Sequence, residues 1–273
     1  MHKILMGIIV ALTIASITLH IVNLIEHHNE CITSILSIVF LSLMFVSPFL
    51  KRFLGSIGDW IFIIVASCSL LFQGYAYGEH IEDDSNVILG VSVLCTVLSS
   101  YVGHSLKKKE EKREKVDIDK SVRYYMNTHV AKFILSTIAL IILIVNYAEN
   151  RYDGVLDTTI LVLIVSLLIY ISFSGLAFVP PSDQTQLYVE FLCGLGPTIQ
   201  IFEFSKDTSM LKVAGILSLT GASIITGQTL GNASSIAILL LIVLASVCDH
   251  LAAKYYNTGY MLAIERARFQ GRV

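Results

Sequence analysis

Polar residues in this chain are confined to short stretches between long apolar blocks. The blocks run over 4–25, 31–50, 53–78, 87–106, 130–148, 158–179, 211–230 and 236–253. None alternates polar and apolar residues as a barrel strand would, and each has about the 20 residues that a helix needs to cross a ~30 Å hydrocarbon layer. In such a layer every backbone N–H and C=O must be paired within its own segment, which a helix achieves and an open strand does not. The pattern predicts an all-α, polytopic integral membrane protein with eight transmembrane helices. A ninth stretch, 187–204, has an apolar core only over 191–202, interrupted by Gly194, Gly196 and Pro197. That is short for a span, so 180–210 is expected to be a re-entrant or interfacial insert.

Lys and Arg set the orientation. With eight spans and the N-terminus inside, all 19 basic residues except Arg151 fall on the cytoplasmic side. Such a bias is the signature of cytoplasmic loops. A ninth span would carry Arg266, Arg268 and Arg272 across the membrane, against that bias. The expectation is a multi-pass protein of the plasma (inner) membrane with both termini cytoplasmic. The first block is too long for the core of a cleaved leader and no small-x-small site follows it, so it is expected to be retained.

Composition agrees and excludes other classes. Hydrophobic residues make up 55% of the 273, charged residues only 15%, and mean hydropathy is +0.73. A soluble enzyme, a disordered chain and a disulfide scaffold do not look like this. A net charge of −2 gives nucleic acid nothing to bind, and the five Cys form no C-x-x-C pair. The partners expected are the lipid bilayer and, at the charged cytoplasmic stretch, a second copy or another protein.

That stretch, 107–129, divides the chain into halves: 1–106 with four spans, and 130–253 with four more and the insert, followed by a tail over 254–273. Corresponding spans share short patterns. Ile21-Val22-Asn23 with Glu26 matches Ile144-Val145-Asn146 with Glu149. Gly74 and Gly78 match Gly227 and Gly231 as G-x-x-x-G, and His104 matches His250 near the inner ends of spans four and eight. The order of the matches predicts a tandem parallel 4+4 repeat about an axis along the membrane normal.

Candidate chemistry is sparse. No catalytic motif is present, so an enzyme is the weakest reading, and no metal or cofactor site is expected; the His and acidic residues near 20–30 and 79–84 match no ligand spacing. Asp249 and Asp59 lie within apolar blocks, where a carboxylate is expensive unless paired or wet. For Asp249 the sequence offers His250, His104 and Lys254 as partners. Asn23, Glu26, Asn146 and Glu149 lie at outer ends, where they either satisfy helix termini or form a cation site. The Gly pairs are expected to pack helices closely. Together with acidic outer loops, these residues suggest a channel or transporter for a cation or small solute, with an ion or proton path through Asp249, His250, His104, Asp59, Asn23, Glu26, Asn146 and Glu149. The alternative is a structural or regulatory membrane subunit of a larger complex.

Overall fold

The structure, a computed structural model, describes residues 2–27, 31–81, 86–104, 118–149, 154–175, 209–229 and 232–255. These form eight helices: α1 His2–His27, α2 Cys31–Phe53, α3 Gly55–Glu79, α4 Asn86–His104, α5 Ile118–Glu149, α6 Gly154–Gly175, α7 Ser209–Gln228 and α8 Ala233–Tyr255. Six of them, α1 to α5 and α8, are long and apolar enough to cross a membrane. In α6 and α7 the apolar stretches are shorter, Gly154–Ile169 and Val213–Gln228. Most of the expected insert, the start of the charged linker and most of the tail lie outside the described residues. What is described of the linker is helical: α5 begins at Ile118, so its charged first turns are continuous with its apolar part.

Packing divides the chain into two compact units. One holds Met1–Lys112, Leu143–Ile164 and Ile216–Leu239; the other holds Arg113–Ile142, Val165–Gly215 and Leu240–Val273. In the first, α1 packs on α2 and α4, α2 on α3, and α3 on α4, closing a ring of four helices. Between α2 and α3 the chain turns within two residues. Leu54 still bonds back to the Leu50 carbonyl, and Gly55 then takes φ +57°, a backbone that glycine adopts without strain. One turn later a side chain at Gly58 would collide with the Leu50 backbone, so glycine lets α3 fold back against the end of α2. Pro48 inside α2 has no N–H for the Met44 carbonyl, and the Ser47 hydroxyl donates to that carbonyl at 3.0 Å.

The same unit holds a close crossing of α3 and α7. A Cβ on Gly78 would fall on the Ile224 carbonyl, and one on Gly227 would fall on the Tyr75 carbonyl. Gly74 faces Ser223, whose Cβ would be 2.9 Å away, and Ser223 Oγ donates to the Leu71 carbonyl. Partner numbers rise together along the two helices, so they run parallel here. One constant separation relates Gly78 to Gly227, Gly74 to Ser223, Tyr75 to Ile224 and Glu79 to Gln228, and the contacts are reciprocal in that register. It differs by one helical turn from the Gly-on-Gly match in the sequence. Small residues face one another either way, since any of them admits the approach of two backbones. Gly231 lies outside the described residues.

Alongside a buried apolar core that includes Ile9, Leu89 and Val93, α1 and α4 turn hydroxyl-bearing faces inward and aliphatic faces outward. On α1, Ile4, Ile14, Ile21 and Ile25 are exposed while Thr13, Ser16, His20 and Asn23 are buried. On α4, Val87, Val91, Leu94 and Leu98 are exposed while Ser92, Thr96, Ser99 and Ser100 are buried. Water would draw these faces the other way.

Candidate functional site

The buried polar face of α1 arises from its spacing. Thr13, Ser16, His20 and Asn23 recur every three or four residues and so lie along one side of the helix. Ser92, Thr96 and Ser99 do the same on α4, and Gln73 projects from α3. All eight side chains are 0–5% exposed and together form a column inside the four-helix unit.

Its hydrogen bonds run between helices. Ser16 Oγ lies 3.1 Å from the Ser92 carbonyl, Ser92 Oγ lies 3.2 Å from the Ser16 carbonyl, and the two hydroxyls are 2.8 Å apart. Gln73 Nε2 donates to Ser16 Oγ at 3.0 Å, and Thr96 Oγ1 donates to Gln73 Oε1 at 2.6 Å. A turn toward the start of α1, Thr13 donates to the Ile9 carbonyl at 2.7 Å, so the Ser99 hydroxyl, 3.0 Å away, is the donor to Thr13. Toward the end of α1, His20 Nδ1 lies 3.3 Å from Ser92 Oγ. The single Ser92 hydroxyl hydrogen can go to the Ser16 carbonyl or to His20 Nδ1; when it goes to the carbonyl, Nδ1 carries the imidazole proton and Nε2 is an acceptor. His20 Nε2 and, one turn further along α1, Asn23 Oδ1 are buried with no hydrogen-bond partner among the described residues.

Two buried ion pairs lie elsewhere. Lys51 Nζ is 3.3 Å from Asp59 Oδ1, donates to the Gly103 carbonyl at 3.0 Å and stands 4.9 Å from the centroid of the Phe62 ring. The tight turn at Gly55 and Gly58 brings the two charges together. Phe62 fills the space that a side chain at Gly103 would take, and the His104 ring meets it edge-on at 5.3 Å between centroids. In the other unit, Lys132 of α5 donates to Asp249 of α8. Its side chain is 0% exposed and that of Asp249 is 28%. Sequence reasoning did not offer Lys132 as a partner.

The remaining expected residues are scattered. Asn146 is half-buried and Glu149 exposed, the side chain of Glu26 lies outside what is described, and His250 is half-buried beside Asp249 in sequence. Among the described residues, no three His, Cys, Asp or Glu converge as a metal site would require. The column itself was missed, although its spacing is legible: Ser and Thr pass as neutral inside an apolar block, and only their alignment on one face marks these.

On α5 the same face carries Lys132, Ser136, Ala139, Leu143 and Asn146. When Asn23 is aligned with Asn146, these stand where α1 has Ile9, Thr13, Ser16, His20 and Asn23. When His104 is aligned with His250, α8 has Ile238, Ile242, Ala245 and Asp249 where α4 has Ser92, Thr96, Ser99 and Gly103. The side chains of Ile9, Lys132, Ser136, Ala139, Leu143, Ile238, Ile242 and Ala245 are all buried, as their counterparts in the column are.

No family model, no curated protein and no solved structure matches this chain.

Proposed function

We propose that the protein is integral to the plasma (inner) membrane, crosses it eight times with both termini cytoplasmic, and is a channel or transporter for a cation or small solute. The inverted polarity of α1 and α4 supports the membrane setting, because exposed isoleucine and buried serine are stable together only where the surroundings are apolar. The second set of four helices is taken as a parallel copy of the first. The parallel, reciprocal crossing of α3 and α7 and the matched buried positions support that relation. Topology is tested by single cysteines: an impermeant maleimide should reach Ser85→Cys and Asp153→Cys from outside, and should not reach Lys109→Cys or Gln270→Cys. External labelling at Gln270 would sink the eight-span arrangement.

The observation that carries transport is the polar column of α1, α3 and α4, a run of buried hydrogen-bonding groups that ends on His20 Nε2 and Asn23 Oδ1, atoms without a partner among the described residues. Purified protein in liposomes should raise solute permeability above that of protein-free vesicles. Replacing Ser16, Ser92 and Thr96 together by Ala, Ile and Ile should return it to background. A structural or regulatory subunit, docking a partner through its charged cytoplasmic stretch, is the second reading. What favours it is that Asp59 and Asp249 are both held by lysines. Vesicles with no permeability above background would select it.

A further inference from the structure

Resting on the transport reading, we propose that the column takes a small uncharged solute bearing N–H or O–H donors, of the urea or polyol class, and that His20 Nε2 and Asn23 Oδ1 are its outer binding site. The chemistry of the lining decides the class. Among the described residues the column contains five hydroxyls, the two primary amides of Gln73 and Asn23 and one imidazole, and no carboxylate. Asp59 is held by Lys51, and Glu79, at the outer end of α3, accepts from Thr33. A cation entering this interior would meet, among the described residues, no counter-charge and no ring of carbonyl oxygens to replace its hydration shell, only hydroxyls and amides already bonded to one another. A neutral donor loses only hydrogen bonds to water and regains them from groups already in place. His20 is 0% exposed and Asn23 5%, so both acceptors are desolvated before the solute arrives. They lie one turn apart on one face of α1, about 5–6 Å between Cβ atoms, which suits two donors of one small molecule. Further in, the hydroxyls of Ser16, Ser92, Thr96, Thr13 and Ser99 offer a solute partners of the same kind as water does.

Stopped-flow light scattering of proteoliposomes tests this with urea and glycerol as neutral probes and rubidium as the cation. Urea or glycerol should equilibrate at least about tenfold faster than in protein-free vesicles, with rubidium at background. His20→Leu and Asn23→Ala should each slow the neutral probe by about tenfold, equivalent to ~1.4 kcal/mol. Leucine is the residue that α5 buries at the matching place, and Gly7→Ala, with nothing near its added carbon, is the control. Rubidium flux without neutral flux overturns this inference and leaves transport standing; background rates for all probes overturn both. If His20→Leu does not fold, the imidazole nitrogen resonances of the unaltered protein decide. The Nε2 signal should move on titration with glycerol, and an unmoved signal overturns the site.

Discussion

α1 and α5 bury aligned positions with partly different chemistry: Thr13 and Ser136 both bear hydroxyls, and at the next two pairs α1 is polar where α5 is apolar. α1 buries Thr13, Ser16 and His20 where α5 buries Ser136, Ala139 and Leu143, and α4 buries Ser92, Thr96 and Ser99 where α8 buries Ile238, Ile242 and Ala245. Burial recurs at most of the aligned positions, though Asn146 and Asp249 are half-buried where Asn23 and Gly103 are buried. What fills them does not follow from packing. An interhelical hydrogen bond in an apolar medium contributes about 0.6 kcal/mol on average, so aliphatic residues hold such positions as well as hydroxyls do. The hydroxyls of the first half are therefore not needed as adhesive. The charges are also distributed differently: the first half holds Lys51–Asp59 across the turn between consecutive helices, while the second holds Lys132–Asp249 between its first and last.

The largest effect should come from dividing the second pair. Asp249→Asn removes the carboxylate from a fully buried Lys132 and should cost about 3–5 kcal/mol. Lys132→Met should cost less, because Asp249 retains partial access to solvent. Lys132→Ile with Asp249→Ala, apolar as Ile9 and Gly103 are in the first half, should recover most of the loss. Unfolding in detergent measures all three, and equal losses for the two single changes would refute the asymmetry. Next, Gly78→Ala and Gly227→Ala each place a carbon on a backbone carbonyl and should cost about 1–3 kcal/mol, with Gly74→Ala milder because it meets the Ser223 side chain. Gly7→Ala should be neutral, and a ranking that puts Gly74 first would break the crossing described here.

Larger in flux is the conversion of the first half toward the second. Ser16→Ala, Ser92→Ile and Thr96→Ile together should abolish permeation, and because they strip Gln73 and His20 of their partners they should also cost about 1–3 kcal/mol for each polar group left unpaired. Loss of fold instead would make the column structural. The smallest effect should be the reverse change, Ala139→Ser. Its hydroxyl can donate to the carbonyl of Leu135 within α5, and the melting temperature should hardly move.

Much of the helical plan is legible in the sequence because apolar length is a direct physical requirement: the eight apolar blocks coincide with the eight described helices. The start of α5 is not, because charged residues such as Asp119, Lys120 and Arg123 signal water and not the absence of a helix. Lys132 was counted as a cytoplasmic charge, as a residue at the head of an apolar block would be. Its role as the partner of Asp249 depends on α5 meeting α8, which no local pattern encodes. The polar column was partly legible, since Thr13, Ser16, His20 and Asn23 keep a strict helical period. Their partners on α3 and α4 emerge only on packing. The matched Gly pairs were visible, but their register was not, because serine at 223 serves as well as glycine.

The two ion pairs also differ in when they can form. Lys51 and Asp59 leave the ribosome almost together, and the glycine turn between them lets the charges meet as soon as the hairpin of α2 and α3 forms. Lys132 precedes its carboxylate by 117 residues. At ordinary elongation rates of about 5–20 residues per second, its ammonium waits roughly 6 to 23 seconds before Asp249 is made.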